Sequence, residues 1–111
     1  MTLPLDGITV VDLTHVLAGP YCSNQLLDLG ARVIKVERPG RGDDTRSYPP
    51  FVEGESAYFA NLNRGKQSIV LDLKAGADRA IFERLLARAD VLLENHRPGV
   101  MERLGYGWDA L

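Results

Sequence analysis

The chain has 111 residues, with 13 lysines and arginines against 15 aspartates and glutamates, for a formal net charge of −2. Both signs are interspersed, which excludes the basic surplus of a nucleic-acid-binding domain, while the length admits one small domain with its own core. One cysteine, Cys22, excludes an internal disulfide, and no apolar run or basic-then-apolar start marks a membrane span or leader, so the expected location is the cytoplasm with no membrane partner.

Residues 8–13 are β-branched and mostly apolar, as in a strand buried on both faces of a parallel sheet. A polar turn at 14–19 follows. Pro20 opens a helix carrying Leu26, Leu27 and Leu29, and Gly30 suits its C-terminal cap. Residues 31–36 form a second strand, so the chain begins strand, helix, strand, the unit of a parallel α/β sheet. Residues 38–55 are rich in glycine, proline and charge and show neither period, so they read as a long surface loop, of a kind usually functional or disordered.

A short helix at 56–63 carries Tyr58 and Phe59, and Arg64, Gly65 and Lys66 turn the chain into a third strand at 68–73. Ala77, Ile81, Leu85, Leu86 and Ala89 then recur at helical spacing, with Asp78, Arg79, Glu83, Arg84 and Arg88 outside. A fourth strand spans 91–94 and a helix 98–104; beyond it Trp108 and Leu111 have little to pack against. The predicted fold class is α/β, a Rossmann-like parallel sheet with flanking helices.

The stretch 91–105 carries the most chemistry. A strand delivers Asn95, His96 and Arg97 to its end, and Pro98 suits the first turn of the next helix. A helix N-terminus assisted by Arg97 and Arg103 suits a phosphate or carboxylate. Glu37 stands about where the ribose-binding acid of dinucleotide folds stands, yet His15-Val16-Leu17-Ala18-Gly19-Pro20 lacks the G-x-G-x-x-G pattern. A Rossmann-like fold without a nicotinamide cofactor is the better reading. His15 and His96 lack partners at metal-ligand spacing, so no metal site is expected and each reads as a hydrogen-bonded turn histidine. Cys22 has no evident base and reads as a packed small residue.

Four runs, 5–20, 33–40, 71–74 and 91–105, resemble in order and spacing the class III CoA-transferase family, the formyl-CoA and carnitine CoA-transferase group. The resemblance extends from about Leu5 to Leu111. Family chains are several times longer, so it implies that residues 1–111 are the N-terminal CoA-binding part of a larger transferase domain. It implies that Val16 and Leu17 line the CoA site. Leu17 stands where formyl-CoA transferases carry a glutamine, a departure that speaks against formyl-CoA to oxalate transfer; the alternative is a turn leucine packed on the core.

The same resemblance puts Arg38 against the nucleotide part of CoA, the alternative being a surface arginine paired with Glu37 or Asp43. It puts Leu71, Asp72, Leu73 and Lys74 at the adenosine phosphates, Asn95, His96 and Arg97 at the next strand end, and Arg103 on a phosphate. Asp43-Asp44-Thr45-Arg46 resembles a family segment that orders the loop. The physical content is a convergence: three strand ends supply Arg38, Lys74, Arg97 and Arg103 to one polyanionic ligand.

Family members attack an acyl-CoA thioester with an aspartate carboxylate, pass through anhydride and aspartyl-CoA species, and hand CoA to a second acid. That aspartate lies beyond residue 111 in the family, so the resemblance implies no catalytic residue here and no transferase activity from this chain alone. It implies acyl-CoA and a carboxylic acid as partners, no permanently bound cofactor, and an interlocked homodimer for the parent protein. An acyl-CoA racemase of the same family and a non-catalytic α/β binding module are the alternatives.

Overall fold

The computed structural model describes residues 2–111. Its first strand, β1 (Thr9–Asp12), leads into α1 (Ala18–Asp28) and then β2 (Arg32–Glu37). Val10 and Val11 are fully buried, and they point to opposite faces because side chains alternate along a strand. Val10 joins Ala31 and Val33 with Leu26 and Leu27 of α1 against them. Val11 joins Leu13, Val36, Leu71, Phe82, Met101 and Tyr106 on the other side. A sheet buried on both faces therefore requires nearly continuous apolar strands, as the sequence shows.

After β2 come a 3₁₀ turn at Asp44–Ser47, the short strands β3 (Phe51–Val52) and β4 (Glu55–Ser56), and α2 (Ala57–Asn63). Then follow β5 (Gln67–Val70), α3 (Gly76–Arg88), β6 (Val91–Leu93), α4 (Val100–Leu104) and a 3₁₀ turn at Trp108–Ala110. The main sheet runs β5-β2-β1-β6, every pairing parallel. The predicted Rossmann-like α/β class is the observed one. All four strands run the same way, so their carboxyl ends open on a single edge, and that edge holds the candidate site.

Several expectations change. Residues 38–55 are not a featureless loop: β3 and β4 pair antiparallel, with Phe51 opposite Ser56. Side-chain caps order this stretch rather than an apolar period, with Asp43 accepting from the Thr45 amide and Ser56 from the Phe59 amide. The third strand stops at Val70, because after the Leu71 amide reaches the Glu37 carbonyl the chain turns away from β2. In α3 Phe82 is fully buried, with Ile81, Leu85, Leu86 and Ala89 of the expected stripe packed beside it against the larger core, while Ala77 is exposed.

Asp78 and Arg79 are not outer-face residues either. Asp78 accepts from the Asp72 amide at 2.7 Å, and Arg79 Nη1 donates to the Leu73 and Leu104 carbonyls. The last helix begins at Val100, since Gly99 takes the preceding position at φ +89, and Pro98 lies outside it. With five residues, α4 has no developed dipole with which to hold an anion. Cys22 is exposed rather than packed, because on α1 its neighbours Ser23 and Asn24 take the inward face. Gly19 enters α1 where a Cβ would lie 2.3 Å from Thr14 Cβ, so only glycine lets the helix approach the β1 turn this closely.

Candidate functional site

A cleft of about 630 Å³ opens at the carboxyl ends of the parallel strands. The end of β1 contributes Leu13, Thr14 and His15, the end of β2 contributes Arg38 and Pro39 with Gly42, Asp43 and Asp44 beyond, and the end of β5 contributes residues 71–74. His96 comes from the turn after β6 and Leu104 from α4. A second hollow continues past Leu73, Lys74 and Leu104 to Arg79 and Arg103.

The floor is a web of buried charge in which each ion is paired. Lys35 Nζ lies 2.8 Å from Asp43 Oδ2, both side chains almost wholly buried, and also donates to the Thr14 carbonyl. Burial alone would raise the Asp43 carboxyl, but the bonds from Lys35 and Thr45 hold it below its ordinary value. Burial likewise works to raise Glu37, yet two bonds from Arg46 at 2.7 Å, with others from the Ser68 hydroxyl and the Asp43 amide, bring it down from 4.5 to about 2. Both Glu37 oxygens are thus committed to the protein rather than to a ribose. On the far side of β1, Asp12 accepts from Thr14, Ser23 and Lys66. Burial pushes the Lys66 amine down despite that partner.

The rim differs. Lys74, Arg97 and Arg103 are exposed, and among the described residues none of their side chains has a hydrogen-bond or ion-pair partner. Arg38 is tied to the loop instead, Nη2 to Asp44 and Nε to the Gly42 carbonyl at 3.0 Å. Its partner is therefore neither Glu37 nor Asp43. The rings of His15 and His96 sit 5.4 Å apart at the rim, and burial followed by the charge of His15 pushes the His96 imidazole down against the pull of Glu94. No group of three or more potential ligands is placed to hold a metal among the described residues.

The family model described as CoA-transferase family III matches residues 5–111. The chain belongs to CoA-transferase family III. It is 59% identical over 108 residues to the acetyl-CoA:oxalate CoA-transferase of Acetobacter aceti, covering 97% of this chain and 28% of that protein. It is 50% identical over 109 residues to the human succinyl-CoA:glutarate CoA-transferase, covering 97% of this chain and 25% of that protein. A crystal structure of a CAIB/BAIF family protein from Brucella suis superposes with a TM-score of 0.90 at 45% identity, over 99% of this chain and 30% of that one. The chain thus spans about a quarter to a third of the length of these relatives.

In this CoA-transferase family III chain the cleft gathers six residues anticipated from sequence: Arg38, Leu71, Asp72, Leu73, Lys74 and His96, with Arg103 on the adjoining hollow. Four others stand off it. Val16 is turned at φ +70 with its amide on Asp43 Oδ1, and Leu17, 52% exposed, precedes α1 rather than packing on the core. Asn95 exchanges bonds with the His15 backbone, its Oδ1 accepting from the amide and its Nδ2 donating to the carbonyl, while Arg97 points to solvent.

Sequence reading missed Lys35 and Asp43 as cleft residues. A signal existed. Lys35 sits between Ile34 and Val36 in the buried middle of β2, and a lysine there must find a carboxylate.

Proposed function

We propose that this chain forms the N-terminal CoA-binding part of an enzyme that moves CoA from an acyl-CoA thioester to a carboxylic acid. The observation that carries this reading is the contrast between floor and rim. Floor charges are internally paired, while Lys74 and Arg103 stand unpaired where three parallel strand ends meet. CoA brings several phosphate charges and a flat base, and unpaired rim cations beside a cleft suit that combination. Arg38 would leave Asp44 for phosphate, an exchange of one carboxylate for a more highly charged partner.

Leu71, Asp72, Leu73 and Lys74 are assigned to the phosphates through their backbone and the Lys74 amine, His96 to the cleft wall and Arg103 to phosphate. Val16, Leu17, Asn95 and Arg97 act as the outer margin of the site under this reading. No aspartate of this chain is assigned as the nucleophile: Asp12 and Asp43 are spent on buried lysines, and the family resemblance puts the attacking aspartate beyond residue 111. The reading includes a cytoplasmic parent protein, active as an interlocked homodimer, with acyl-CoA and a carboxylic acid as its small-molecule partners and no permanently bound cofactor.

A thermal melt of the purified chain with CoA, and with NADH as control, tests the proposal. Ligand at a hundredfold excess over its dissociation constant adds about 2.7 kcal/mol to the folded state. A CoA-specific rise in midpoint, lost on Lys74→Ala with Arg103→Ala, is the expected result. A cooperative melt that CoA does not move, or that NADH moves equally, counts against it.

A further inference from the structure

Val16 holds φ +70, a left-handed backbone that a β-branched residue adopts only when its surroundings impose it. The imposing group is Asp43. Its Oδ1 accepts from the Val16 amide at 3.2 Å, the Thr45 amide at 3.0 Å and the Thr45 hydroxyl at 2.8 Å, while Oδ2 accepts from Lys35 Nζ at 2.8 Å. Lys35 Nζ in turn donates to the Thr14 carbonyl at 2.9 Å. One buried ion pair therefore grips the turn after β1 at two points, the carbonyl of Thr14 and the amide of Val16, with His15 between them.

His15 lines the cleft, and its backbone is tied on its other side to Asn95 of the turn after β6. Four donors converge on the Asp43 carboxylate. An amide in its place has one acceptor oxygen and two donor hydrogens, so it cannot serve both Lys35 and the turn. Released from this grip, a valine returns to the right-handed or extended region and carries His15 with it.

Resting on the CoA-binding reading above, we propose that Asp43 is a positioning residue for the cleft: it holds Val16 in the left-handed conformation and thereby sets where His15 and the β1 turn stand against bound CoA. Glycine takes φ +70 without side-chain strain, so Val16→Gly removes the need for the grip. The test is the CoA dissociation constant of the purified chain in wild type, Asp43→Asn, Val16→Gly and the double variant.

Asp43→Asn weakens CoA by about tenfold or more in the wild-type background and by less than about threefold in the Val16→Gly background. An equal loss in both backgrounds makes Asp43 a general stabiliser and overturns the proposal. Amide hydrogen exchange of the ligand-free wild type gives a reading that needs neither a variant nor CoA. The Val16 amide should exchange at least about tenfold more slowly than a solvated amide, and exchange at the free rate overturns the proposal even in a chain that binds CoA. A protected Val16 amide in a chain that fails to bind CoA leaves the grip standing and overturns the CoA reading, and with it the positioning role.

Discussion

Replacing Glu37 with glutamine isolates the pair that fastens the 38–55 segment to the sheet. The Glu37 side chain is 3% exposed and accepts two bonds from Arg46 at 2.7 Å. Its folded carboxyl lies at about 2, against an ordinary 4.5. At roughly 1.4 kcal/mol for each tenfold change, that displacement corresponds to about 3 kcal/mol favouring the folded state. The sign follows from the depression. The contribution is complete above pH 4.5, where the unfolded carboxyl is ionised too, and it fades as the pH falls from 4.5 towards 2.

Glutamine cannot supply it at any pH, and its amide hydrogens would face the Arg46 guanidinium. Urea unfolding of wild type and Glu37→Gln, stepped from pH 7 to pH 2.5, reads the difference directly. The stability gap should be about 3 kcal/mol near pH 7 and narrow steadily below pH 4.5. A gap that stays constant across that interval, or widens with acid, refutes the reasoning.

Phe82→Ala empties the centre of the larger core and should cost about 3–5 kcal/mol in urea unfolding, whereas Ala77→Ser on the same helix should change stability by less than about 0.5 kcal/mol. Lys66→Met leaves the buried Asp12 carboxylate without its cation and should cost about 3–5 kcal/mol, a loss that adding Asp12→Asn partly recovers in the same assay. Arg79→Gln gives up the bonds to the Leu73 and Leu104 carbonyls and the stacking on Tyr106. It should cost about 2 kcal/mol, with amide exchange at residues 72–74 rising more than exchange in β1.

The sheet was legible because β1 and β2 are buried on both sides, so Val10, Val11, Val33, Ile34 and Val36 leave a continuous apolar trace. The inward face of α3 was legible too, since Ile81, Leu85, Leu86 and Ala89 pack against the larger core as their spacing suggested, and of that stripe only Ala77, in the first turn, is exposed. Phe82, left out of that stripe, lies on the same face, three, four and seven residues before Leu85, Leu86 and Ala89, and is fully buried. Order in 38–55 was not legible, since it arises from carboxylate and hydroxyl bonds to backbone amides at Asp43 and Ser56, which leave no hydrophobic period.

At the site, the rule that parallel strands end on one edge brings Arg38, Lys74 and His96 together, and all three line the cleft. Val16 and Leu17 stand off the cleft, Val16 at φ +70 and Leu17 exposed ahead of α1. Asn95 faces the His15 backbone because it bridges two turns from adjacent strands, and only the sheet order brings those turns together.

The most direct test of the cleft as a CoA site is a titration of CoA into the isotope-labelled chain, followed residue by residue through its amide nuclear magnetic resonances. Shifts concentrated at residues 13–16, 38–44, 71–74, 96 and 103 are the predicted outcome. Unmoved spectra at millimolar CoA, or shifts gathered at the opposite end of the strands around Ile8, Arg32 and Asp90, would contradict the account.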